Sequence, residues 1–490
     1  MGLCSIATAF SYSAVGVLIV VIASGLATVM RLVGAEAWSP RRTASSSLLG
    51  KQGGSGRRGW RALALLAWLG NVGFHCFLAY YVIVWVPRLA WTMPAWSKVL
   101  AILLIVGVLA TFPRPSAAVR VPIALPVGLV ILMCLLGWGR GEGLARCDDY
   151  LRVRGQPGVE LLFPAIDQLA NCRPGEVFPV HRFPRKIWES PDSRRYVVTT
   201  TPSAEVRNES ADVYGELFCE VSADGTGRPH CVGGADGKAH EIQESEPLDQ
   251  LLSCAWAERG GRRASAIYRL SRGAPLTLLE EHRMDGVLAV NGFYQPKTDE
   301  YHVFTDQNEP ILSVRASSFA ALPGLPRANS PGAIVYDAER DEGVMCGGLD
   351  AFAAFRLMPW SYRLLAREGN PLVYLWMSLG CDFDRLGRKV YTTVPSLGLL
   401  GVIDYDSGRV VRTHFVGFAL RSVAFDAPRQ RLYIADFLGG DVLAIDAASG
   451  AEIGRWFVGH YVRETLISRD GKKLLTTSNL GIGRIDLATR

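Results

Sequence analysis

The sequence predicts a membrane α-helical region of four helices followed by an all-β, seven-bladed β-propeller. Three observations carry this. Apolar runs approaching membrane-spanning length are confined to the first 140 of 490 residues. The last third repeats the same landmarks every 42 residues. The final repeat stops one strand short, so an earlier strand is needed to finish it.

The N-terminal part contains four apolar stretches, Ala14–Met30, Leu63–Val86, Val99–Phe112 and Val121–Trp138. A helix needs about 20 apolar residues to span a bilayer, and the third stretch reaches that length only if Lys98 snorkels. Between the first two stretches lie Arg31, Arg41, Arg42, Lys51, Arg57, Arg58 and Arg61, against a lone Glu36. Positive charge stays in the cytoplasm, so four crossings place everything after Trp138 on the other side. The same basic loop supplies much of the net charge of +6, which argues against nucleic acid as a partner. The expected divisions are 1–140 for the membrane region, 141–174 for a neck and 175–490 for the propeller. Within the neck, the apolar residues of "GVELLFPAIDQLANC" suggest a short amphipathic helix.

The repeat is read from two landmarks. Tyr391, Tyr433 and Leu475 lie 42 residues apart, and Asp384, Asp426 and Ser468 precede them by seven. A period of 40 to 45 residues with several strands per unit marks a propeller. The same pairing continues upstream as Asp337 with Val344, Gln295 with His302 and Ser190 with Val197. The 105 residues between Ser190 and Gln295 leave room for one irregular blade around Lys238–Arg283, making seven. The stretch "PGEVFPVHRF" (Pro174–Phe183) parallels "SGRVVRTHF" (Ser407–Phe415), which nominates it as the strand that closes the ring.

The residues "VYTT…GVIDYDSGRVVRTHFVG" and "LYIAD…DVLAIDAASGAEIGRWFVG" resemble YVTN-type β-propeller repeats, which are related to lactonase-like seven-bladed propellers. The resemblance runs from about Gly332 to the end. It implies an extracytoplasmic domain. The four apolar stretches, the compact loops and the lack of other targeting signals suit a multi-pass protein of the bacterial inner membrane, with the propeller on the periplasmic or extracellular side. A propeller hosts many functions, so the fold alone names none.

Candidate chemistry comes from positions five residues before each leading landmark, where inner strands begin. These hold Arg185, Val290, Gly332, Leu379, Arg421 and Arg463. The three arginines fall on blades one, six and seven, which become neighbours when the ring closes. Three guanidiniums at one channel mouth form an anion site for carboxylate, phosphate or sulfate. The competing expectation is local pairing with Glu189 or Glu464. The histidines are scattered without metal-ligand spacing, and "GGADG" (Gly233–Gly237) reads as a turn, so neither a metal nor a cofactor is expected. An oxidising compartment permits disulfides, with Cys147–Cys172 and Cys219–Cys231 as candidates and Cys254 left over. Two readings stay open. One is a non-enzymatic platform for an anionic ligand or a protein partner. The other is a lactonase-like or other hydrolase using the channel.

Overall fold

The computed structural model describes residues 143–487, apart from segments 203–215, 235–236, 260–261, 306–309, 327–331, 348–351, 370–377, 396 and 418. Seven antiparallel sheets follow one another around a ring. They span residues 182–232, 238–285, 289–325, 333–364, 381–415, 420–457 and 464–486, and we number them blades 1 to 7 in that order. From blade 2 onward round to blade 1, successive first strands touch each other, which makes them the channel wall; the first segment of blade 2 packs instead on the second strand of blade 1. Blade 2 is the irregular one. Its inner strand is broken into Lys238–Ala239 and Gln243–Ser245, both paired with the long strand Gln250–Arg259.

The leading landmark recurs because every hairpin needs the same turn. Asp384 Oδ1 accepts the Gly387 N–H at 2.8 Å, and Asp426 Oδ1 accepts that of Arg429 at 3.2 Å. Ser468 Oγ accepts the Lys473 N–H at 2.9 Å. Each turn then passes through a left-handed residue: Ser193, Asp299, Asp341, Arg388, Gln430 or Gly471. The second landmark recurs because it fills the space between blades. Val197, His302, Val344, Tyr391, Tyr433 and Leu475 are each no more than 1% exposed.

Closure differs from the sequence expectation. The strand completing blade 7 is Val159–Pro164, which pairs with Gly481–Asp486. Pro174–Phe183 does not close the ring. Its Val177–Pro179 pairs with Leu144–Arg146, and its last residues enter blade 1. Connection length explains this. From blade 5 to blade 6 the chain uses residues 416–419 to cross from outer edge to channel. Phe183 and Arg185 are two positions apart, too close for such a crossing. The expected amphipathic helix in the neck is likewise replaced by the closing strand and a 3₁₀ turn, Asp167–Asn171. Gly481 permits the closure: with φ at +127°, a Cβ there would stand 1.9 Å from the Phe163 carbonyl oxygen.

The fold class read from the sequence also needs correcting. Among the described residues there is one α-helix, α1 (Cys147–Arg154), and no helix long and apolar enough to cross a membrane. The four apolar stretches lie outside the described residues. What stands is a seven-bladed propeller with a short N-terminal cap. Asp148 and Asp149 in the first turn of α1, and Arg152 and Arg154 in its last, complement the helix dipole. The cap packs on blades 6 and 7, with the Asn479 amide donating to the Leu144 carbonyl at 2.7 Å and Arg152 lying 3.8 Å from the centre of the Phe457 ring.

Three disulfides tie the fold. Cys147–Cys172 staples the cap, and Cys219–Cys231 joins neighbouring strands of blade 1. Cys346–Cys381, a pair the sequence reading did not propose, links blade 4 to the inner strand of blade 5. Cys254 is a buried free thiol.

Candidate functional site at the channel mouth

The inner strands of blades 1 and 6 slip register where their arginines sit. The pairing breaks between Pro184 and Ile187, around Arg185, and between Leu420 and Val423, around Arg421. Arg463 immediately precedes the inner strand of blade 7, and its N–H donates to the Thr477 carbonyl at 2.9 Å. A bulge re-aims a side chain that a regular strand would alternate away.

Threonines of the neighbouring second strands hold this backbone. Thr477 Oγ1 donates to the Arg185 carbonyl at 2.9 Å, and Thr393 Oγ1 donates to that of Arg421 at 3.1 Å. Each reaches from one blade to the next, so the arginine positions depend on the ring being closed. Gly380 is needed beside Arg421, because a Cβ there would lie 2.1 Å from the Arg421 carbonyl oxygen.

Two of the three side chains, Arg421 and Arg463, share an aromatic ring. Arg421 lies 4.8 Å from the centre of Phe437, and Arg463 lies 5.5 Å from the same ring and 4.7 Å from Phe183. Arg185 is close enough to Arg421 to feel its charge. Burial and then that repulsion push Arg185 down to about 9, with Glu464 opposing. Burial alone brings Arg463 to about 9. Both remain cationic at neutral pH.

The local acids have other partners. Glu464 pairs with Lys186 at 2.5 Å. Glu189 accepts the Arg469 N–H at 2.6 Å, and its carbonyl accepts Arg469 Nε at 3.0 Å. At the equivalent positions of blades 3, 4 and 5 stand Val290, Gly332 and Leu379, so the mouth is cationic on one side only.

Four residues that sequence reasoning missed complete the surroundings. His240 sits in the break of the blade 2 inner strand and accepts the Trp256 indole N–H at Nε2, 2.8 Å away. Burial, then Arg185, Lys238 and Arg421, hold its pKa well below the ordinary histidine value. Beside it, Glu241 is 4% exposed and accepts hydrogen bonds from the Tyr301 hydroxyl and from the Cys254 N–H at 3.2 Å. Burial raises its carboxyl to about 8, so it is largely protonated at neutral pH. Blade 2 has no landmark to align, and this hid both His240 and Glu241. The threonines left a visible trace, the recurring "TT" of "VVTT", "VYTT" and "LLTT".

A groove of about 780 Å³ between blades 1 and 2 is a weaker candidate. Three of its four arginines are matched by acids: Arg195 with Glu220 at 2.8 Å, Arg228 with Asp167 at 3.0 Å, and Arg272 with Glu244 at 2.7 Å. Among the described residues no three His, Cys, Asp or Glu side chains converge to hold a metal ion.

No protein-family model matches the chain, and no curated protein matches it. Among solved structures it is similar to dihydro-heme d1 dehydrogenase NirN in complex with DHE. The identity is 13% and the TM-score 0.44, over 63% of this chain and 64% of that one, so the likeness spans less than two thirds of that protein and transfers no activity.

Proposed function

We propose that the propeller is a binding module that captures a small oxyanion at its channel mouth, in a periplasmic or extracellular compartment. Its three disulfides are consistent with such an oxidising setting. The observation that carries the reading is Arg185. Its side chain is half-buried, feels the charge of a second arginine, and the acid that acts on it, Glu464, is engaged by Lys186. A cation held in that way is stabilised by an incoming anion, and a guanidinium fork suits carboxylate, sulfate or phosphate. The YVTN-type likeness of blades 5 to 7 fits a binding platform. Placement at a membrane rests on residues outside those described, and the binding reading does not depend on it.

The hydrolase alternative requires acids in the channel that are available for chemistry. Glu464 is ion-paired, Glu241 is bonded to Tyr301, and Asp382 accepts two backbone N–H groups at 2.7 Å each. Those contacts support structural roles. Calorimetric titration of the full chain with sulfate, phosphate and succinate tests the proposal. Wild-type protein should bind at least one probe, and Arg185→Ala should weaken it by roughly tenfold or more. Equal binding by both proteins, or no binding by the wild type, would overturn it.

A further inference from the structure

We propose that His240 is a fourth ligand-contacting residue of this mouth, a neutral hydrogen-bond donor on the blade 2 side that reads an acceptor oxygen of the bound oxyanion. The inference rests on the anion-binding reading and adds to it a residue and a requirement on the ligand.

Trp256 sets the tautomer of His240. An indole N–H can only donate, so the 2.8 Å contact obliges His240 Nε2 to accept. The imidazole proton of the neutral ring then resides on Nδ1. The two rings lie nearly parallel, 19° apart with centres at 6.4 Å, which fixes the plane in which that N–H points. The groups around the ring are cationic or protonated. The charges of Arg185 on blade 1, Arg421 on blade 6 and Lys238 on its own blade all act on the ring, with the neutral Glu241 next in sequence. A positive charge on this ring would be repelled by three neighbours, so it serves as a donor without adding a cation. The blade 2 break is what makes this possible. The regular pairing with Gln250–Arg259 lapses at residues 240–242, where His240 keeps a single long backbone bond, its N–H donating to the Cys254 carbonyl at 3.4 Å.

The arrangement sets a chemical requirement. The ligand must present one anionic edge to the arginines and another lone-pair oxygen towards blade 2. Sulfate and a dicarboxylate both satisfy this, and they separate an inorganic from an organic source. Sulfate is the better primary probe because its charge does not change across the working pH range.

The test uses full-length protein and four variants, His240→Leu, His240→Asn, Trp256→Phe and Arg185→Ala, titrated with sulfate and, in parallel, succinate. His240→Leu should lose about tenfold in affinity, whereas His240→Asn, which keeps an N–H donor, should stay within a few-fold of wild type. With ¹⁵N-labelled histidine, the His240 resonances should report a proton on Nδ1, and added sulfate should move Nδ1 rather than Nε2. In Trp256→Phe that tautomer preference should disappear, a change that loss of packing alone would not produce. Wild-type affinity should be the same at pH 5.5 and pH 7, because a ring that became charged would tighten sulfate binding at the lower pH. If Arg185→Ala loses binding while His240→Leu does not, or if Nε2 is the nitrogen that responds, the inference fails and the arginine site stands. If wild-type protein binds neither probe, both fail together.

Discussion

Blades 5 to 7 and blade 2 build the same channel in different ways. In blades 5 to 7 the second and third strands are all six residues long, and the landmarks keep a 42-residue spacing. In blade 2 two ten-residue strands carry an inner strand that is interrupted. The regular blades bury their landmarks and supply Arg421 and Arg463. The irregular blade places two titratable side chains, His240 and Glu241, at the channel wall. Regularity is what closes a ring from repeated units, and the departure in blade 2 is what sets a histidine and a carboxyl beside the arginines of blades 1 and 6.

The largest expected effect breaks the regular side. Tyr433 is fully buried between blades 6 and 7, so Tyr433→Ala should cost about 3–5 kcal/mol in denaturant unfolding. A change confined to fraying of one blade would show that the blades are less coupled than their packing implies.

Next comes the seam between blades 4 and 5. Cys346–Cys381 closes 35 residues of sequence and Cys219–Cys231 closes 12. Chain-entropy arguments assign roughly 4 and roughly 3 kcal/mol respectively. Replacing the first pair with serine should therefore lower the melting temperature more than replacing the second. The opposite order would place the weak point within blade 1.

A third prediction sharpens the account of blade 2. Glu241 ionises near its ordinary 4.5 when unfolded and only near 8 when folded. Between those values the folded protein holds a proton that the unfolded chain has released, so stability falls as pH rises through that window. The slope is about 1.4 kcal/mol per pH unit. Glu241→Gln should remove this contribution, flattening the stability profile relative to wild type between pH 5 and 8. Parallel profiles would mean that Glu241 is ionised in the folded state.

The smallest effect concerns the threonine brace. Thr477→Val keeps the shape but deletes the bond to the Arg185 carbonyl, at a cost of about 1 kcal/mol. Anion affinity should fall a few-fold as the bulge relaxes, which titration would detect. Unchanged affinity would show that the bulge holds Arg185 without the brace.

These differences track what was legible in the sequence. The seven blades could be read because turn chemistry and interblade packing demand the same residue types at the same offsets, as Asp384 and Tyr391 do in blade 5. The three arginines could be placed because an offset from a landmark is a position on a strand. The closing strand was misassigned because "PGEVFPVHRF" shares composition with an outer strand, while the deciding quantity was the number of residues needed to cross a blade. His240 was invisible for a related reason. Its role depends on an indole sixteen residues away across a strand pair and on arginines from two other blades, and no local pattern encodes that meeting. Cys346–Cys381 likewise joins residues that become neighbours only when blade 5 follows blade 4 around the ring.

The most direct measurement is a crystal structure of the full chain with selenate, a tetrahedral dianion that anomalous scattering locates without bias. The account predicts a selenium peak at the channel mouth, with oxygens within hydrogen-bonding distance of the Arg185 guanidinium. A mouth without a peak, with selenate ordered instead in the groove between blades 1 and 2, would contradict it.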